Sequence, residues 1–168
     1  MSNSYEFKMY LIEHIEQALE QQEQLKALLL AADPDWQLVK KYLAISQVYA
    51  IKNKGQWIAE ICVATVTDRA DEAEIKNLSV DVAYQGQGLA KILIRHVIKA
   101  AAAQNIVRLW VKTGNSSLDQ LALYQKMGFR LSHIEKDIFL DYPEAIYENG
   151  IRCLDQVVLV RSLISENV

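Results

Sequence analysis

The stretch YQGQGLAKILIRHVIKAA, residues 84–101, sets two of the chain's six glycines, Gly86 and Gly88, directly before apolar residues at helical spacing. Leu89, Ile92, Leu93, His96, Val97 and Ala100 fall on one stripe, with Lys91, Arg95 and Lys99 around the rest of the helix. Glycines at such a place have two uses. They ease a turn between strand and helix, or they open an anion site. The first amide N–H groups of a helix lack an intrahelical partner, and the aligned peptide dipoles favour negative charge there. Glycine then lets a phosphate approach the backbone closely.

Two common phosphate-binding signatures fail on these residues. A P-loop needs Lys and then Ser or Thr after its second glycine, where this chain has Leu89 and Ala90. A dinucleotide-binding turn needs a third small residue where Lys91 stands, and no parallel strand-helix-strand unit with an acidic ribose ligand follows.

The 168 residues suit one domain over 1–168 with a real core, and 51% hydrophobic with 23% charged residues fits a globular chain. A net charge of -3 gives no footing for nucleic-acid binding by phosphate neutralisation. Cys62 and Cys153 lie far apart with no CxxC spacing, so buried thiols are expected. His14, His96 and His133 are scattered, and no metal site is expected. The N-terminus lacks the basic segment and apolar run of a signal peptide, and no run approaches the ~18 apolar residues of a membrane span. The expected location is cytoplasmic.

Periodicity predicts a strand over residues 5–12, a helix over 14–32, and a second helix capped by Asp35 that holds Leu38, Val39, Tyr42 and Leu43. Strands are expected over 47–52 and 56–66. The charged stretch DRADEA reads as a loop leading to EIKNLSVDV, where Ile75 is out of phase with Leu78, Val80 and Val82. A β-bulge explains that slip, and so does a strand that starts at Asn77. After the glycine helix come a strand over 107–112, a helix in GNSSLDQLALYQKMGF with Ser116 and Asp119 as a capping box and Gly128 as its stop, and strands over 129–137 and 152–163. Strand-helix-strand units force parallel pairing and tight meanders force antiparallel pairing, so a mixed sheet with helices on its faces follows.

Gln85-x-x-Gly88-x-Ala90, after a strand and opening a helix, resembles the Arg/Gln-x-x-Gly-x-Gly/Ala signature of the Gcn5-related N-acetyltransferase (GNAT) family. A second stretch, LALYQKMGF at 121–129, looks like that family's late helix ending in Leu-Tyr and then Gly-Phe, and the element order between Glu74 and Phe129 matches the family core. The resemblance implies an α/β (α+β) fold: a mixed, mostly antiparallel β-sheet with a central parallel strand pair and helices on both faces. It implies acetyl-CoA as cosubstrate and an amine acceptor, small molecule or protein, attacking directly, with room for a homodimer. A non-catalytic acyl-CoA-binding module is the alternative.

The resemblance also assigns residues. The diphosphate falls to the backbone of Gln85, Gly86, Gln87, Gly88, Leu89 and Ala90, with Lys91 nearby. The amide-rich pantetheine arm pairs with the strand bearing Leu78, Ser79, Val80 and Val82; Ser117 stands where many members carry an Asn that contacts the arm, and Asn115, two residues earlier, is the other candidate for that contact. Tyr124 is the implied acid for the leaving thiolate and Glu74 the implied base, with a main-chain N–H near residues 78–80, freed by a bulge, for the oxyanion. This chain departs from the family pattern in having Gln85 where Arg is frequent and Val82 where Pro is frequent. His96 reads as a core residue of the helix stripe, and Tyr124 alternatively as packing with Leu121 and Met127.

Overall fold

The computed structural model describes residues 10–16, 22–142 and 144–164. Its elements run β1 (Ile12–His14), α1 (Gln22–Ala32), α2 (Trp36–Leu43), β2 (Gln47–Asn53), β3 (Gln56–Val66), β4 (Arg69–Val80), α3 (Leu89–Ala103), β5 (Arg108–Gly114), α4 (Leu118–Lys126), β6 (Arg130–Glu135), β7 (Tyr147–Glu148), β8 (Ile151–Arg152) and β9 (Gln156–Ser162). Seven strands form one sheet in the order β1-β2-β3-β4-β5-β9-β6, and β7 and β8 form a separate hairpin. The crossover through α3 makes β4 and β5 parallel, while the remaining neighbours pair antiparallel. This is the mixed, mostly antiparallel sheet that the sequence implies.

Alternation along the strands sorts the core into two layers. Val48, Ala50 and Cys62 pack with Leu25 and Leu29 of α1 and Val39 of α2. Their neighbours Tyr49, Ile51, Ile61 and Val63 pack with Leu93 and Val97 of α3 and Tyr124 of α4. Each helix pair therefore covers one face. Asp35 caps α2 as expected, its Oδ1 accepting from the backbone N–H of Gln37 and Leu38. His96 is half-buried edge-on to Tyr49, with ring centroids 4.6 Å apart. Burial first, then His14 and Lys99, lowers its pKa, in keeping with a core histidine.

Three expectations are corrected, and one open alternative is decided. His14 is not helical: it pairs with Tyr49 in β1, and Ile15 N–H donates to Val48 O at 2.8 Å, so the sheet satisfies this backbone. The predicted strand over 5–12 lies outside the described residues up to residue 9, as do residues 17–21 of the predicted helix. The stretch DRADEA is largely strand. Its Glu72 is buried, and accepts from Trp110 Nε1 at 2.6 Å, Arg108 at 2.9 Å and Arg69 at 3.1 Å, so that one charge is partnered rather than solvated. The phase slip is a bulge: pairing passes from Cys62↔Asn77 to Val63↔Ile75 and leaves Lys76 as the extra residue. Finally, the N-cap of α4 is Ser117 without a side-chain cap, in place of the expected capping box, because the hydroxyls of Ser116 and Ser117 are both committed to Glu148.

The parallel pair is short. Only Glu72–Ile75 pair with Arg108–Val111. Beyond that point β4 keeps β3 and β5 keeps β9, and the two strands part.

Candidate active site

A cleft of about 430 Å³ lies where β4 and β5 diverge, and Asn77, Leu78, Ser79 and Val80 form one wall with Lys112 and Thr113 on the other. Leu78, Ser79 and Val80 stay in register with Ile61, Glu60 and Ala59, so β4 is held on one edge and open on the edge facing the cleft. The freed backbone expected near residues 78–80 thus comes from the splay; the bulge itself sits earlier, at Lys76. An open strand edge of this kind receives an extended, amide-rich ligand as an added strand.

Val82 and Gln85 line the same cleft. Asp81 accepts from Ala83 N–H and shapes a single 3-10 turn, Val82–Tyr84. Gln85 Nε2 donates to Val80 O at 3.1 Å, which fastens the turn to the end of β4. Gly86 and Gly88 then take φ of +74° and +83°, the left-handed region that glycine enters without strain, and a Cβ at either would meet open space. Gly88 is the N-cap of α3 and supplies no side-chain acceptor. The amides of Leu89, Ala90 and Lys91 therefore begin the helix uncapped by any side chain of Gly88, beside the cleft, as an anion site requires. Gln87 Oε1 accepts from Tyr10 at 3.0 Å.

Tyr124 is buried yet lines the cleft, and its ring stands edge-on to Phe129 with centroids 5.8 Å apart. Burial, with a smaller contribution from Glu60, pushes its phenol well above the usual range, so it stays protonated. Glu60 has no counterpart among the expected site residues. It lies on β3 opposite Ser79, with none of its surface exposed. Its Oε2 accepts from the Cys62 thiol at 3.3 Å, and its Oε1 has no partner among the described residues. Burial pushes the Glu60 carboxyl up to about 8, against the lowering by the Cys62 thiol and the Ser79 backbone N–H. A lone acid inside the apolar run WIAEICVATV was the signal available in the sequence.

Glu74 is outside this cleft. It lines a second cavity of about 680 Å³ between the α1–α2 junction and the segment after β6, walled by Leu38, Tyr42, Phe139 and Tyr142. Its carboxylate pairs with Lys76 at 3.0 Å. Both cavities are lined by Ile75, Lys76, Lys112, Thr113, Ser117 and Glu148, so they adjoin at the divergence of β4 and β5. Asn77 braces that junction, its Nδ2 donating to Leu29 O at 3.0 Å and to Tyr42 Oη at 2.7 Å.

Ser117 reaches both cavities, but its hydroxyl donates to Glu148 at 2.6 Å. Asn115 lines neither. Its Oδ1 accepts from Leu154 and Asp155 N–H at 2.8 and 2.9 Å and its Nδ2 donates to Arg152 O at 3.1 Å, so it holds the segment after β8.

An uncapped helix start beside an open strand edge suits a ligand with a diphosphate at one end and an amide-rich arm, and a protonated phenol further along suits a leaving thiolate, the set of demands made by an acyl-coenzyme A transferase. The acetyltransferase (GNAT) family model matches residues 11–129. The uncharacterized N-acetyltransferase YvbK of Bacillus subtilis is 39% identical over 150 residues, covering 89% of this chain and 96% of that one. A GNAT family acetyltransferase from Elizabethkingia anophelis, solved with acetyl-CoA bound, superposes with a TM-score of 0.83 at 35% identity, covering 91% of this chain and 97% of that one. A shorter match, 33% over 69 residues, covers 41% of this chain and 47% of the ribosomal protein bS18 alanine N-acetyltransferase of Escherichia coli. The chain belongs to the GNAT acetyltransferase family.

Proposed function

We propose that the protein transfers the acetyl group of acetyl-CoA to a primary amine by direct attack of the neutral amine. Acetyl-CoA brings the activated thioester. The residues that would hold it are the backbone of Gln85, Gly86, Gln87, Gly88, Leu89 and Ala90 with Lys91, and the open edge of Leu78, Ser79 and Val80. Val82 flanks the turn. The acceptor enters through the larger cavity, where Glu74 takes the proton that an arriving ammonium must lose. Tyr124 keeps a proton at its hydroxyl for the sulfur.

The observation that carries this reading is the position of Tyr124: a buried phenol held protonated at the wall of the cleft that the acceptor cavity adjoins. The relative named as a ribosomal protein bS18 alanine N-acetyltransferase makes a peptide with a free alanine amine the first acceptor to test. The test is CoA release from acetyl-CoA with pooled amines, namely amino acids, polyamines, aromatic amines and alanine-initiated peptides, with mass detection of the acetylated product. Turnover of at least one pool is expected. Tight acetyl-CoA binding without CoA release on any pool rejects the reading.

A further inference from the structure

The edge strand β6 is exposed along five of its six residues, and its sixth, Glu135, is half-buried. Among the described residues it pairs with β9 alone, so its outer row of backbone groups has no sheet partner. Leu131 and Ile134 are 60% and 57% exposed, on a strand whose outer edge is a ready template for another strand.

The register of β6 orders these side chains. Arg130, His133 and Glu135 pair with Val160, Val158 and Gln156, whereas Leu131 and Ile134 pair with Leu159 and Val157. Residues at even positions of β9 share one face and those at odd positions the other. The extra residue Ser132 thus brings Arg130 and Glu135 onto the same face, although they are five positions apart, and sets Leu131 and Ile134 together on the opposite face.

Read from either end, Arg-Leu-Ser-His-Ile-Glu runs charged, apolar, polar, polar, apolar, charged, with opposite charges at its two ends. A second copy laid antiparallel about a two-fold axis between Ser132 and His133 puts Arg130 opposite the second copy's Glu135 and Leu131 opposite its Ile134. Each pair repeats once by symmetry, and each falls on a matching face. Arg130 has no ion-pair partner among the described residues. Glu135 accepts from Lys112 at 2.8 and 3.1 Å, and its carboxylate is 31% exposed with lone pairs to spare.

We propose that β6 is a dimerisation strand: two copies of the chain pair antiparallel along it and join their sheets edge to edge. The occupant is a second copy because the strand is complementary to itself in both charge and apolar contact, as an isologous contact requires. A six-residue strand pair alone buries less than the ~1,600 Å² of a standard interface, so the dimer forms reversibly, with dissociation in roughly the micromolar range.

Sedimentation velocity from about 1 µM to about 300 µM reads the proposal without any acceptor or acetyl transfer. Wild type should pass from monomer to dimer across that range, and Ile134→Lys should remain monomeric with an unchanged melting curve. The charge test uses two variants, R130E and E135R. Each alone sets like charges opposite each other and should be monomeric, whereas an equimolar mixture sets opposite charges at both ends and should form a heterodimer. A monomeric wild type at every concentration overturns the proposal. So does a dimer that survives both Ile134→Lys and R130E, which would lie on another surface.

Discussion

Glu60 and Cys62, two residues apart on the same face of β3, are joined by a hydrogen bond of 3.3 Å from thiol to carboxyl, and neither side chain reaches solvent. The pair lies behind the cleft wall at Ser79 and Asn77, which oppose Glu60 and Cys62 across the β3–β4 ladder. Burial and the neighbouring Glu60 both push the Cys62 thiol up, whereas burial alone raises Glu60, against the lowering by the thiol's hydrogen bond, and the result is a carboxyl that is protonated in the fold well above its ordinary pKa.

That shift carries a stability consequence with a definite sign. The folded-state pKa of Glu60 is about 8 against 4.5 unperturbed, so between these values the folded state binds more protons than the unfolded one. Stability contributed by this group is present below the unfolded pKa, falls as pH rises toward about 8, and levels off above. Glu60→Gln does not titrate and should escape the fall. The difference in Tm between Glu60→Gln and wild type should therefore grow in favour of the variant, by roughly 5 °C or more between about pH 5 and about pH 8.5. A difference that stays constant with pH would mean that Glu60 is ionised in the fold.

Much of this was legible in local sequence chemistry. Asp35, the glycine pair and Gly128 act through backbone conformation or a neighbouring amide, and such effects are written within a few residues. What escaped depends on contacts distant in sequence. DRADEA reads as solvated until Trp110 and Arg108 arrive from β5 to bind Glu72. Ser116 looks like a cap until Glu148, 32 positions later, takes its hydroxyl. The insertion of β9 between β5 and β6 is likewise a tertiary choice with no local signal.

Gly88 separates charge from backbone strain at the anion site. Its φ of +83° penalises any side chain, by about 1 kcal/mol for alanine, although the space around it is open. Gly88→Ala should thus keep acetyl-CoA affinity within about tenfold, while Gly88→Glu, which adds a like charge beside the diphosphate, should lose about 100-fold or more. Calorimetric titration of both variants distinguishes the effects; equal losses would assign the defect to strain and not to an anion site.

Glu148 ties the β7–β8 hairpin to the start of α4 through Ser116 at 2.7 Å and Ser117 at 2.6 Å, and Ser116 is fully buried. Glu148→Ala leaves that hydroxyl without its acceptor, at a cost of about 1–3 kcal/mol. Amide exchange should speed up through residues 147–153 while β3 and β4 keep their protection. Unchanged exchange in the hairpin would show that other contacts hold it.

Glu74 is paired with Lys76 at the acceptor cavity. If it takes the ammonium proton, Glu74→Gln should depress turnover by roughly tenfold or more near neutral pH, and the deficit should shrink as the free amine becomes abundant at higher pH. A loss that is equal at every pH would leave Glu74 with only its ion pair to explain.

Tyr124 bears the largest part of the proposed chemistry. Its ring is packed against Phe129 and among the core residues around Met127, so phenylalanine preserves nearly all of its contacts. Its hydroxyl makes no hydrogen bond within the described residues, so Tyr124→Phe strips no protein group of a partner and should change Tm by no more than a few degrees. Because burial keeps the phenol protonated far above neutral pH, the proton is available at every pH where the enzyme is folded, and the defect of the variant should not vary between about pH 6 and about pH 9. If that proton goes to the departing sulfur, the loss acts on the transition state. It should appear in kcat by roughly 100-fold or more with acetyl-CoA affinity almost unchanged. Retained kcat in a folded variant would instead make Tyr124 a packing residue of α4, and the proton for the sulfur would have to come from solvent through the open edge of β4.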